Sequence, residues 1–261
     1  MACWLLCGSP MNVSLYQAAS ALEANLMRQQ TISENLAASS VPGFKRRDMS
    51  FNAVSAGMFP GALDEANKTQ LQYLMPSYHQ STNFSQGTLM PTGSNTDVAI
   101  DGPGFFAVQG ANGQTMYTRD GSFRTNSEGV LSTADGRPLL GINGPITANT
   151  QSADPISISD NGDVSQGGLA LGKLQVVSFS NPDQLQRLSA GYFGAGSQAP
   201  QAADPNATSV RQGFLEGANT TPMHEMSQLM QTLRHFEANQ KMMTVQDERL
   251  GKIIQELSNT N

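Results

Sequence analysis

The chain has 261 residues, of which 38% are hydrophobic and 14% charged; an ordinary globular domain has about 45–50% apolar residues counting glycine and about 25% charged ones. Fifteen Lys and Arg against 21 Asp and Glu leave a formal charge of -6, a field that repels phosphate backbones and argues against nucleic acid as a partner. No run of about 18 apolar residues occurs, so a membrane-spanning helix is excluded and no membrane insertion is expected.

Residues 1–10, MACWLLCGSP, carry no positively charged n-region, and they read as an extension ahead of Met11, not as a signal peptide. Cys3 and Cys7 both lie there, which leaves the body without a disulfide framework or a cysteine metal site. Ser14 and Gln17 then fit a capping box, and Leu15, Ala18, Leu22, Ala24, Leu26, Ile32 and Leu36 recur at three- and four-residue steps. This spacing predicts an amphipathic helix from about residue 14 to 38. It should stop before Pro42 and Gly43, because proline holds Val41 extended and glycine permits a turn. Lys45-Arg46-Arg47 is the only basic run, and beside a helix end it reads as a solvated patch.

Residues 49–83 are rich in Gly, Pro, Ser, Gln and Asn without a clear period and read as an extended connector. From 84 to 212 the punctuation becomes Asp-Gly and Asn-Gly dipeptides, at 101, 112, 120, 135, 143 and 161. Short strands joined by tight turns follow from that pattern, near 97–100, 105–109, 116–119, 122–125, 130–133, 155–159 and 174–179. A second helix is predicted from about 222 to 257, where Thr221 can cap, Pro222 suits the first position and Glu225 meets the helix dipole. Its apolar residues Leu229, Leu233, Phe236, Met243, Leu250 and Ile254 form a heptad seam interrupted by Gln240 and Asp247. Such a helix is too long for a small domain to cover and needs partners along its length. The fold class read from the chain is therefore α+β. Residues 11–48 and 213–261 form one discontinuous helical, coiled-coil domain, 49–83 a connector, and 84–212 a β-rich outer domain.

Catalysis has no visible centre. Gly102-Pro103-Gly104-Phe105-Phe106-Ala107 imitates a dinucleotide loop, but a strand follows where a helix N-terminus is required. His224-Glu225 opens a helix as a zincin would, yet the second histidine position holds Gln228. His79, His224 and His235 have no G-x-S-x-G elbow beside them. Asp160-Asn161-Gly162-Asp163 suits a hairpin turn better than a calcium loop. No enzyme, cofactor, metal or small-molecule substrate is expected; a secreted β-rich adhesin or glycan-binding module is the competing reading, and it leaves both helical ends unexplained.

Three ordered blocks carry a resemblance. Asn35-Leu36-Ala37-Ala38 through Pro42-Gly43-Phe44-Lys45-Arg46 resembles the N-terminal signature of bacterial flagellar rod and hook proteins. Asp97 to Gly102, Gly104-Phe105-Phe106 and Tyr117-Thr118-Arg119-Asp120-Gly121 resemble that family's first β segments. Gln212-Gly213-Phe214-Leu215-Glu216-Gly217-Ala218-Asn219, with Phe236-Glu237 later, is similar to its C-terminal block. Ala38, Val41, Pro103 and Ala218 depart from the usual residues, and the likeness thins at about 50–83 and 182–208. The length resembles rod subunits, not the longer hook proteins, and Arg137-Pro138-Leu139-Leu140-Gly141 looks closer to the proximal than to the distal rod type.

The resemblance implies a structural subunit of the flagellar basal body, located in the periplasmic rod. It implies export through the flagellar type III machinery without a cleaved signal, and partners among rod subunits of its own and related types. In such a subunit the C-terminal seam would bury against Leu15, Leu22, Leu26, Ile32 and Leu36 and against adjacent subunits.

Overall fold

A computed structural model describes residues 11–58, 72–152, 154–189 and 191–259, with side chains left out at 11–18, 53–58, 72–76, 250, 257 and 259. Two helices, α1 (Met11–Ala37) and α2 (Pro222–Asn259), bracket a succession of short strands. Each helix lies within a few residues of its predicted span. The proline at the first position of α2 and Glu225 in its first turn are the start signals read from sequence. The chain divides into two compact units, one of residues 1–34, 47–81 and 223–261, the other of 35–46 and 82–222.

In the first unit, Arg47–Met58 and Gln72–Thr82 pair as a two-stranded sheet. The stretch predicted as an extended connector thus contains two long strands, whose pairing has no alternating apolar pattern to announce it; residues 59–71 of that stretch lie outside the described residues. Arg47 ties this ribbon to α1, its guanidinium donating to Glu34 at 2.5 Å and to Gln80. Arg28 also lies 5.9 Å from the centre of the Phe51 ring.

The second unit is built on a six-stranded antiparallel sheet. In spatial order its strands are Gln186–Ser189, Tyr192–Gly194, Thr115–Thr118, Phe105–Gln109, Val176–Ser178 and Gln201–Ala202. Period-two alternation sends neighbours to opposite faces. Phe106, Val108, Met116 and Tyr192 enter one apolar cluster with Val98, Ile100, Phe123, Leu131 and Leu139. Phe105, Ala107, Tyr117 and Phe193 enter another with Val177 and Leu185. The second cluster is an aromatic one, with Phe84, Phe105, Tyr117, Phe179 and Phe193 ring centres 4.9–5.9 Å apart. Each such side chain contributes roughly 1.5–3 kcal/mol on burial.

The predicted strands occur near their expected places, and the Asn161-Gly162 turn joins Ile156–Ile158 to Asp163–Gln166 as a hairpin extended by Leu169–Lys173. Two further pairings outside that sheet join segments far apart in the chain: Ser209–Gln212 with Val98–Asp101, and Phe214–Glu216 with Leu89–Pro91. Because of them the residue 213–216 block, grouped by the sequence with the helical domain, lies in the β unit. Residues 35–46, which follow the main body of α1, lie there too. Gly121 does not serve as a left-handed turn residue as its Asp-Gly context predicts; a Cβ on it would stand 1.6 Å from the Val98 carbonyl oxygen, so the residue is there for close approach of two backbones.

Candidate functional site

The three signature blocks converge within the β unit on Phe44, Lys45, Arg119 and Glu216. Gly43 has a left-handed φ of 67° and donates its N–H to the Glu216 carbonyl at 2.7 Å. A Cβ at this position would lie 2.3 Å from the Arg119 carbonyl carbon, so only glycine can bring the chain this near. The turn carries Phe44 and Lys45 inward, both buried. The prediction of a solvated basic patch is corrected at Lys45, which is fully buried because an acid from the far end of the chain receives it.

Glu216 serves two cations. Lys45 Nζ donates to its Oε1 at 2.5 Å, and Arg119 donates to its Oε2 at 3.0 Å. Backbone meets further valences: Gly87 N–H donates to Glu216 Oε1 at 2.8 Å, Lys45 Nζ to the Ser85 carbonyl at 2.8 Å, and Arg119 to the Gly102 carbonyl at 2.7 Å, while the buried Arg119 Nε has no hydrogen-bond partner. Burial pulls the Lys45 ammonium and the Arg119 guanidinium below their ordinary pKa values, and the Glu216 carboxylate opposes the shift in each case. Removing one partner from a buried set of this kind costs about 3–5 kcal/mol, since a charge is left uncompensated.

The rest of the C-terminal block holds the same turn. Asn219 donates its N–H to the Phe44 carbonyl at 3.2 Å and accepts the Arg46 N–H at 2.6 Å, while its amide nitrogen donates to the Asn83 carbonyl at 2.7 Å. Gln212 donates to the carbonyls of Asn95 and Ile156 and accepts the Ile158 N–H. Gly213 donates its N–H to the Asp97 carbonyl at 2.8 Å. Asp120 accepts both the N–H and the hydroxyl of Ser122, and Thr118 Oγ1 accepts the Asp120 N–H. Phe105, Phe106, Tyr117 and Thr118 belong to the buried sheet, and Gly104, also buried, immediately precedes its strand.

Asn35 is buried, Leu36 and Pro42 are half-buried, and Ala37 is exposed. Arg187 was missed by the sequence reading. It donates to the Lys45 carbonyl and lies 5.0 Å from the centre of the Phe44 ring. It falls in the region where the resemblance thins, and no local pattern marks it.

The seam residues are placed unevenly. Ile32 is buried; Leu22, Leu36, Leu229, Phe236 and Met243 are half-buried; Leu26, Leu233 and Ile254 are exposed; the side chains of Leu15 and Leu250 lie outside those described. Glu237 is exposed beside Phe236. Along α2, Met223 is 79%, Leu233 40% and Ile254 65% accessible, and Met226, Met230, Met242, Val245 and Ile253 are exposed as well. Among the described residues no helix is long and apolar enough to cross a membrane, and no group of three His, Cys, Asp or Glu is placed to hold a metal ion.

Residues 99–166 match the family model described as "Flagellar hook protein FlgE/F/G D1 domain", and residues 211–256 match "Flagellar basal body rod FlgEFG protein C-terminal". The flagellar basal-body rod protein FlgF of Caulobacter vibrioides is 33% identical over 251 residues, spanning 89% of this chain and 98% of its own length. The FlgF protein of Salmonella typhimurium is 32% identical over 260 residues, covering 95% and 99% of the two chains. FlgG of Bacillus subtilis is 30% identical over 261 residues, covering 92% and 97%. The alignments span about nine-tenths of the chain, and on that extent of likeness the chain belongs to the family of flagellar basal-body rod proteins.

Proposed function

We propose that this chain is a structural subunit of the flagellar basal-body rod, assembling through its terminal helices with rod subunits of its own and related kinds. Its relatives are structural rod proteins, not enzymes, and the role asks nothing of a catalytic group. The observation that carries the reading is the run of exposed apolar side chains on α2, from Met223 to Ile254. A helix of 38 residues is about 57 Å long, and each Leu, Ile or Met covered by a neighbour adds roughly 1.5–3 kcal/mol. A few such contacts per subunit suffice for a stable polymer, and a contact repeated head to tail without closing produces a helical one. A secreted adhesin would need only the β unit, whereas the family likeness takes in both helices.

The same reading sets the subunit in the periplasmic rod, delivered by the flagellar type III exporter without cleavage of a signal. Within the family we assign it to the proximal FlgF type, on the Arg137-Pro138-Leu139-Leu140-Gly141 segment that leads to Pro145-Ile146. Leu233→Asp and Ile254→Asp test the assembly surface. Each should abolish swimming, with the protein still exported and basal bodies arrested at the rod; wild-type swimming by both variants would overturn the interface. Complementation of strains lacking FlgF or FlgG tests the type, with rescue of the FlgF strain expected.

A further inference from the structure

We propose that Lys45, Arg119 and Glu216 form a latch that fastens the strap of residues 35–46 to the β unit, so that the strap docks only when the C-terminal block around Glu216 is in place. The inference does not depend on the assembly reading. It rests on who holds whom. Lys45 lies 171 residues from Glu216 and Arg119 lies 97, so the one acid shared by two buried cations comes from late in the chain.

Several of the strap's polar contacts fall on the same late segment. Gly43 donates to the Glu216 carbonyl, Asn219 donates to the Phe44 carbonyl, and Arg46 donates to the Asn219 side chain. Elsewhere in the chain the strap has three further anchors: the Ser85 carbonyl accepts from Lys45, Asn83 donates its N–H to the Arg46 carbonyl at 2.8 Å, and Arg187 donates to the Lys45 carbonyl. Without Glu216 the Lys45 ammonium would sit in a buried place with a single carbonyl for company, and leaving that place for water becomes the favourable course. The sheet does not need the strap in the same way, because Phe105, Phe106, Tyr117 and Phe193 find their apolar neighbours among residues 84–210. The strap therefore opens as a local unit beneath the stability of the sheet.

The test is limited trypsin digestion of the full chain, with cleavage after Arg46 and Arg47 followed by mass spectrometry and cleavage after Lys173, in the β unit and outside the latch, as the internal reference. Proteolysis of a transiently opened segment follows the population of the open form. Lys45→Met and Glu216→Gln should each raise cleavage after Arg46 and Arg47 at least about tenfold. Cleavage after Lys173 and the near-ultraviolet dichroism of the aromatic cluster should stay at wild-type values. Unchanged cleavage at the strap would overturn the latch, and so would a parallel rise after Lys173, which would make the three groups ordinary parts of one cooperative core. If Glu216→Gln fails to fold, Lys45→Met decides alone, since it keeps the Arg119–Glu216 pair intact.

Discussion

In the β unit Phe106, Val108, Leu131 and Phe193 are covered almost completely by the chain's own side chains; on α2, Met223, Met230 and Ile254 stand largely in solvent and Leu233 is 40% accessible. Both regions carry apolar residues at regular spacing, period two in one and steps of three and four in the other. The difference lies in where the cover comes from. A six-stranded sheet can place material on both of its faces from within a single chain, and this one does. A helix some 57 Å long cannot be wrapped by the residues that remain. Under the proposed role its spacing describes a surface for use between subunits.

Substitutions can break or sharpen this contrast. The largest effect is expected for Phe106→Ala, which empties a fully buried site between Phe123 and the neighbouring strands; the β unit should lose about 3–5 kcal/mol, read from its thermal or denaturant unfolding. Gly43→Ala comes next. Its left-handed φ costs roughly 1–2 kcal/mol for alanine, and the 2.3 Å approach to the Arg119 carbonyl carbon adds a backbone clash, so the loss should exceed that figure. Pro42→Ala together with Gly43→Ala would also let α1 run on towards Met49, giving a subunit that is exported but does not join the rod.

Leu233→Asp should change the unfolding of the isolated chain by no more than about 0.5 kcal/mol, as surface substitutions do, while swimming is lost. A loss as large as that of Phe106→Ala would show that Leu233 belongs to an internal core and would dissolve the contrast. The smallest effect concerns pH. Burial raises the Tyr117 phenol above its usual value near 10. Its contribution is therefore complete below pH 10 and disappears as pH rises through the higher folded-state value. Lys45, lowered by burial, acts in the opposite sense as pH approaches 10.5 from below. The useful measurement is the difference between wild type and Tyr117→Phe, and the phenylalanine variant should show a shallower decline in stability above pH 10.

What could be read from the sequence followed its local physics. Alternation in Phe105-Phe106-Ala107-Val108 and the Asn161-Gly162 turn specify structure within a few residues of themselves, and both occur as expected. The seam on α2 was legible as a periodicity, which says that a face is apolar but not what covers it. The buried junction was legible only as separate blocks. Nothing within ten residues of Lys45 tells that its counter-charge is Glu216, and the solvated reading of a Lys-Arg-Arg run fails at its first member for that reason. Strands Arg47–Met58 and Gln72–Thr82 were missed because their pairing satisfies backbone groups without an alternating apolar pattern.

The two clusters on opposite faces of the six-stranded sheet have a mechanical consequence. Bending the sheet toward Phe105 and Phe193 would compress the aromatic side and pull open the side of Phe106 and Leu131. Compression meets an interior packed as densely as an organic crystal, and opening forfeits dispersion contacts that no water replaces in so small a gap. The sheet behaves like the web of a beam with both flanges attached. A bending load on the sheet is therefore resisted from both faces at once, and the β unit answers it as a solid block.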